Sequence, residues 1–123
     1  MLVTRIYHDA AGESHYEDMD ICLSEQGPLG ATSIPIPVTS LIMRENVSGY
    51  AYDWHVAPRR QFIVMLEGLV EIQVSDGETR LFKAGDIVLV EDTEGKGHKS
   101  YSPDGKPRRS LFLPIPQPWQ PLA

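Results

Sequence analysis

Apolar and polar residues alternate with a period of two along much of the chain, the pattern of half-buried strands. Val70, Ile72 and Val74 alternate with Glu71 and Gln73, which predicts a strand over 69–75. Residues 61–67 are apolar on both sides, with Phe62, Val64 and Leu66 on one and Ile63 and Met65 on the other. A strand of that kind is covered on both faces. Residues 86–90 read the same way. Further strands are predicted at 2–7, 41–45, 50–55, 78–82, 97–102 and 110–113. In an uninterrupted strand at 50–55, Tyr50, Tyr52 and Trp54 share one face, and Ala51, Asp53 and His55 share the other.

Ten glycines and ten prolines, spread through the sequence, leave long helices almost nowhere to sit. Short strands between turn residues suggest a sandwich or barrel. Asp76-Gly77 predicts a hairpin. Residues 8–20 read as an acidic, turn-like stretch, followed by a strand near 19–24, although Tyr16, Met19, Cys22 and Leu23 also fit helical spacing. Residues 27–37 read as a Pro/Gly-containing connection. The segment 114–121, with four prolines, is expected outside any sheet as an extended arm anchored by Trp119.

With 123 residues the chain is expected to form one domain. Its formal charge of −6 argues against nucleic-acid binding. The N-terminus lacks the pattern of a signal peptide, and no apolar run approaches the roughly 18 residues of a membrane helix. The single cysteine, Cys22, excludes an internal disulfide and is expected to be a small buried residue in a cytoplasmic protein. The two-sided apolar strand 61–67 needs a second layer or a second subunit. Together with the Tyr50, Tyr52 and Trp54 stripe it predicts a homodimer.

The segment Gly49-x5-His55-x-Ala57-x3-Gln61-x6-Gly68 resembles the first motif of the cupins, with every spacing and both glycines in place. Ala57 stands where that family has its second histidine, and Gln61 where it has glutamate. Gly85, followed by Glu91 at the expected proline position and then by Gly95-x2-His98, resembles the second motif, with the histidine two residues late. The resemblance spans 49–102 and implies an all-β, single-domain jelly-roll barrel over 1–123 with little or no helix, a motif core at 49–102 and a Pro-rich arm at 114–123. It also implies a barrel-mouth site for a divalent metal such as Fe, Mn, Ni, Cu or Zn.

In this chain the ligands implied are His55, Gln61 and His98. Gln61 offers only a neutral oxygen, so weak metal binding or none is expected. Asp53, about 6.6 Å along the strand from His55, could complete a two-histidine, one-carboxylate set. Without metal, His55 and His98 are candidates for a general acid and base, oriented by Asp53, Glu91 or Asp92. Arg59 and Arg60, with Gln61, are candidate substrate-binding residues, since an arginine at the mouth pairs with a carboxylate or phosphate. An ion pair with Glu91, Asp92 or Glu94 is the alternative for either arginine. The basic residues Lys96, Lys99, Lys106, Arg108 and Arg109 read as a solvated face, and His8 and His15 as surface residues.

The expected function is binding of a small polar organic molecule in the barrel mouth, with isomerase- or lyase-type proton transfer or a metal-assisted reaction. The alternative is a non-catalytic small-molecule-binding protein that has lost its metal.

Overall fold

The computed structural model describes residues 1–25 and 27–116. Its strands are β1 (Leu2–His8), β2 (Ser14–Asp20), β3 (Ser24–Glu25), β4 (Ala31–Thr32), β5 (Ile42–Asn46), β6 (Ala51–His55), β7 (Gln61–Glu67), β8 (Val70–Val74), β9 (Thr79–Phe82), β10 (Ile87–Val90), β11 (His98–Tyr101) and β12 (Arg108–Pro114). One short 3-10 turn, Gly27–Leu29, is the helical content among the described residues, and no helix there is long and apolar enough to cross a membrane.

A six-stranded sheet in the order β2-β1-β10-β7-β12-β5 packs on a four-stranded sheet in the order β6-β11-β8-β9. The result is an all-β, jelly-roll-like sandwich. The sheets do not close into the barrel that the sequence motifs imply. The period-two pattern explains the core. Ile72 and Val74 from β8 meet Met65 from β7 and Val88 and Val90 from β10 between the layers. Glu71 and Gln73 take the opposite face of β8.

A second apolar cluster lies on the outer side of the six-stranded sheet. Phe62 and Leu89 pack there with Val3 and Ile115, against Ile21 and Ile36. The two-sided apolarity of β7 is therefore met in part by the chain's own 21–38 segment. Leu66, farther along β7, is 51% exposed.

Several expectations are corrected. The acidic stretch is not a turn leading to a strand at 19–24. It is β2, paired with β1 along its whole length from Leu2↔Asp20 to His8↔Ser14, and the turn occupies 9–13. An edge strand tolerates Glu17, Asp18 and Asp20 because their carboxylates project into water. Cys22 is exposed, because it follows the end of β2 on the surface. Pro114 does sit in the sheet as the last residue of β12, opposite Gln61. Only its N–H is missing; its carbonyl accepts hydrogen bonds from Thr39 N–H (2.8 Å) and Thr39 Oγ1 (3.1 Å). Trp119 lies outside the described residues. The Asp76-Gly77 hairpin is present, with Gly77 at φ +102° and Val74 N–H donating to Glu78 C=O at 3.0 Å.

The strand at 50–55 is also not uninterrupted. On β11, His98 faces His55 while Ser100 faces Tyr52, so Asp53 and Trp54 together oppose Lys99. That bulge reverses the alternation. Tyr50, Tyr52 and His55 consequently line the same cavity between the sheets.

Candidate functional site

The site forms where the end of β6 meets the start of β11. The His55 and His98 ring centroids are 4.4 Å apart with planes inclined by 59°. Gly97 makes this approach possible. Its φ is +73°, and a Cβ there would stand 2.0 Å from the His55 carbonyl oxygen. The loop ahead of His98 is tied to the β1–β2 turn. Ser14 Oγ donates to Gly97 C=O at 2.6 Å, and Lys96 N–H donates to Gly12 C=O at 2.9 Å.

Each imidazole is held through Nδ1. His98 Nδ1 donates to Asp92 Oδ2 at 2.5 Å, and His55 Nδ1 donates to the Asp53 carbonyl oxygen at 2.7 Å. Both partners are acceptors, so in the neutral rings the proton sits on Nδ1 and the lone pair on Nε2. Neither Nε2 makes a hydrogen bond among the described residues. Asp92 has no solvent exposure, and its Oδ1 has no hydrogen-bond partner there. A buried carboxylate with a single hydrogen-bonding side chain is costly, and such costs cluster at functional sites. Burial lowers the His55 pKa below its ordinary value, and the neighbouring His98 adds to this; the Asp53 carbonyl opposes it. His55 is therefore held neutral at pH 7. The Tyr52 ring stands edge-on to it at 4.0 Å.

The two histidines border a cavity of about 320 Å³ between the sheets. Its apolar wall includes Ile63, Met65, Ile72 and Val88. From the six-stranded sheet Arg44 on β5 and Arg108 on β12 reach it, with Ser110 on β12 opposite Arg44. None of its described lining residues is Asp or Glu.

Of the residues singled out in the sequence, His55, His98 and Gln61 share this cavity, and Gln61 is buried at the start of β7. Asp53 is not brought in. The bulge turns its side chain out, where Oδ1 accepts the Trp54 N–H at 2.8 Å. Arg59 is exposed and does not line the cavity. Arg60 Nε lies 3.3 Å from Glu91 Oε2, and Glu91, itself buried, takes Arg5 Nε at 2.6 Å on its other oxygen. Of the carboxylates considered as orienting groups, Asp92 is the one that holds His98.

Arg108 is not part of a solvated basic face. It is 8% exposed, sharing the inward parity of β12 with Ser110 and Phe112. That alternation with Phe112 was the available signal for it. Arg44 had none, because β5 is mostly exposed.

The donors present do not fit the three-imidazole, one-carboxylate centre that the sequence motifs imply. Among the described residues no three of His, Cys, Asp and Glu converge in a manner suited to a metal ion. Ala57 supplies no donor atom, Gln61 a neutral one, and Asp92 is engaged behind His98 rather than facing the cavity.

No family profile matches the chain, and no curated protein matches it. Solved structures similar to it include protein NMB1881 from Neisseria meningitidis, with 13% identity over 67% of this chain and 84% of that one, at a TM-score of 0.48. A conserved SPY1581 protein of unknown function from Streptococcus pyogenes shows 16% identity over 69% and 71%, at 0.47. Ethanolamine utilization protein Q from Salmonella typhimurium LT2 shows 12% identity over 94% and 96%, at 0.42.

Proposed function

We propose that this chain is a cupin-type protein that binds a small polar organic molecule between its sheets and moves a proton on it. His55 and His98 form the acid–base pair. The observation that carries this reading is the Asp92–His98–His55 array, in which both Nδ1 atoms are held and both Nε2 atoms are left for a ligand. His55, kept neutral by burial, accepts a proton at Nε2. His98, whose Nδ1 is held by Asp92, delivers the complementary proton from Nε2 when it acts in its imidazolium form. In an isomerase- or lyase-type reaction His55 would take a proton from carbon, and His98 would give one to the carbonyl or leaving oxygen as the electron pair arrives there.

The test is solvent deuterium incorporation into small keto and hydroxy acids, read by NMR. Wild type is expected to catalyse exchange. His98→Asn and His55→Gln are expected to lose it while keeping the native circular dichroism spectrum. Ligand binding without exchange in wild type would favour the non-catalytic reading. That reading is favoured by one observation, Gln61 in a position where a carboxylate would complete a metal site.

A homodimer and a cytoplasmic setting belong to the same proposal. The exposed Met43 and Leu66 on the outer side of the six-stranded sheet support the first, and the lone Cys22 supports the second. Light scattering giving about 14 kDa at micromolar concentration would remove the dimer.

A further inference from the structure

We propose that the molecule bound in the cavity is an organic anion whose carboxylate pairs with Arg108 and Arg44, placing its remainder toward His55 and His98. This deepens the acid–base reading and rests on it for the reacting end alone.

Arg108 is the starting point. Its side chain is more than nine-tenths buried, yet Nη1 is sealed from solvent without a hydrogen-bond partner among the described residues. Nη2 donates to the neutral Asn46 Oδ1 at 3.2 Å. No carboxylate of the described residues lies within ion-pair distance. Three more exposed arginines contrast with this. Arg5 pairs with Glu91 and Glu17, Arg80 with Asp18 and Glu78, and Arg109 with Glu45 and Glu67. A guanidinium cannot shed its charge at physiological pH, so a buried one without a counter-ion is a group waiting for an anion.

The surroundings support the same reading. Arg44 lines the same cavity two register positions away, where Ser110 faces Arg44 and Arg108 faces Asn46. Each guanidinium lies over an aromatic ring, Arg108 over Tyr50 at 5.0 Å and Arg44 over Phe112 at 4.0 Å. Contacts of that kind hold each guanidinium carbon over a ring and consume none of its N–H groups, which stay available to an acceptor with two oxygens. Two cations share a cavity with no acidic residue among its described lining, in a chain of net charge −6. Burial depresses the Arg108 pKa; the Tyr50 side chain opposes this, and Arg44 depresses it further.

A carboxylate presents two coplanar oxygens to one guanidinium fork, and phosphate, which can also pair bidentately, is the comparator. Tyr50 and Tyr52, with ring centroids 6.2 Å apart, form a continuous wall from Arg108 to His55. The ligand thus spans from cation to imidazole.

The experiment is calorimetric titration in a zwitterionic buffer with acetate, malonate, succinate and glutarate. Succinamide and inorganic phosphate serve as comparators. At least one dicarboxylate is expected to bind, with succinamide at least tenfold weaker than succinate. Arg44→Gln is expected to weaken the carboxylate at least fivefold without lowering Tm, because Arg44 is exposed and tolerates replacement. Arg108→Gln is expected to abolish binding. Arg109→Gln, on the opposite face of β12, is expected to change nothing. The proposal is overturned if no carboxylate binds, if succinamide binds as well as succinate, if phosphate alone binds, or if neither cavity variant alters affinity. Nitrogen-15 spectra of the imidazoles separate the two readings. Arginine-dependent binding that leaves both Nε2 signals unmoved supports the anion site and removes the acid–base function instead.

Discussion

The Asp92 carboxylate receives the His98 Nδ1 proton at 2.5 Å from a position with no solvent exposure. Little else compensates this buried charge, since its second oxygen has no partner among the described residues. The pairing fixes which nitrogen of His98 faces the cavity.

Replacing Asp92 with asparagine keeps the volume and removes the charge. The amide presents either an oxygen or an NH2 to the ring, so His98 is expected to populate both neutral tautomers where wild type holds one. Any proton transfer is expected to fall by about 10²-fold or more. The imidazole nitrogen-15 shifts report the tautomer directly. A single unchanged tautomer in Asp92→Asn would show that something else orients His98.

Much of this arrangement was legible in the sequence. Turn residues at nearly every strand end gave the all-β class, and the resemblance of 49–102 to the two cupin motifs implied that His55 and His98 share one site. Three elements hid the rest. The bulge at Asp53 and Trp54 reverses strand parity, and nothing in a Tyr-Asp-Trp run announces an extra residue. Asp92 lies in a loop with Glu91 and Glu94, where local charge reads as solvent exposure although Asp92 is buried. Arg108 adjoins Arg109, so the pair looked like one basic patch, whereas strand alternation sends one inward and the other to Glu45. In each case tertiary packing decided, not local composition.

Gly97 and Gly77 separate the two reasons for a glycine. Both have positive φ, +73° and +102°, but a Cβ at Gly77 meets nothing within 4 Å. Gly77→Ala is expected to cost about 1 kcal/mol from backbone strain alone. Gly97→Ala adds a collision with the His55 carbonyl and is expected to cost at least about 3 kcal/mol. It should also move His98 away from His55. Urea unfolding of the two variants checks the difference; equal midpoints would mean that the 91–97 loop yields freely.

His15 gives the fold a pH dependence of its own. Its Nε2 lies 2.7 Å from Asp9 Oδ2 and its Nδ1 lies 2.8 Å from Asp76 Oδ2, joining the β1–β2 turn to the β8–β9 turn. Only the imidazolium donates from both nitrogens. The hydrogen bond to Asp9 and then that to Asp76 raise the His15 pKa above 6.5 in the folded state. This contribution is complete below the unfolded value and is lost as pH rises through the folded one. Asp9, held down chiefly by His15, contributes above its unfolded value of 3.8 and loses that contribution as pH falls. His55 acts in the opposite direction to His15. Its pKa is lowered by burial, so acidification below 6.5 favours the unfolded chain. Wild-type Tm is therefore expected to decline above pH 6.5. His15→Gln should flatten that decline and leave the His55-linked loss below pH 6.5 in place. An identical alkaline slope in His15→Gln would assign the dependence elsewhere.

Gln61 sets the expected response to metals. It is buried in the cavity with the two free Nε2 atoms, and its amide offers no negative charge against a divalent cation. Gln61→Glu changes one atom's chemistry at almost constant volume and supplies that charge. With His55 and His98 it would complete two imidazoles and a carboxylate, a set that binds first-row metals. Equilibrium dialysis against Zn²⁺ and Mn²⁺ is expected to show at least a tenfold gain in affinity for Gln61→Glu over wild type. Adding His55→Gln should cancel most of that gain, because it deletes one imidazole donor. A gain that survives His55→Gln would place the metal on the surface carboxylates and not between the sheets. Equal affinity in wild type and Gln61→Glu would mean that the Gln61 side chain does not point at the Nε2 atoms.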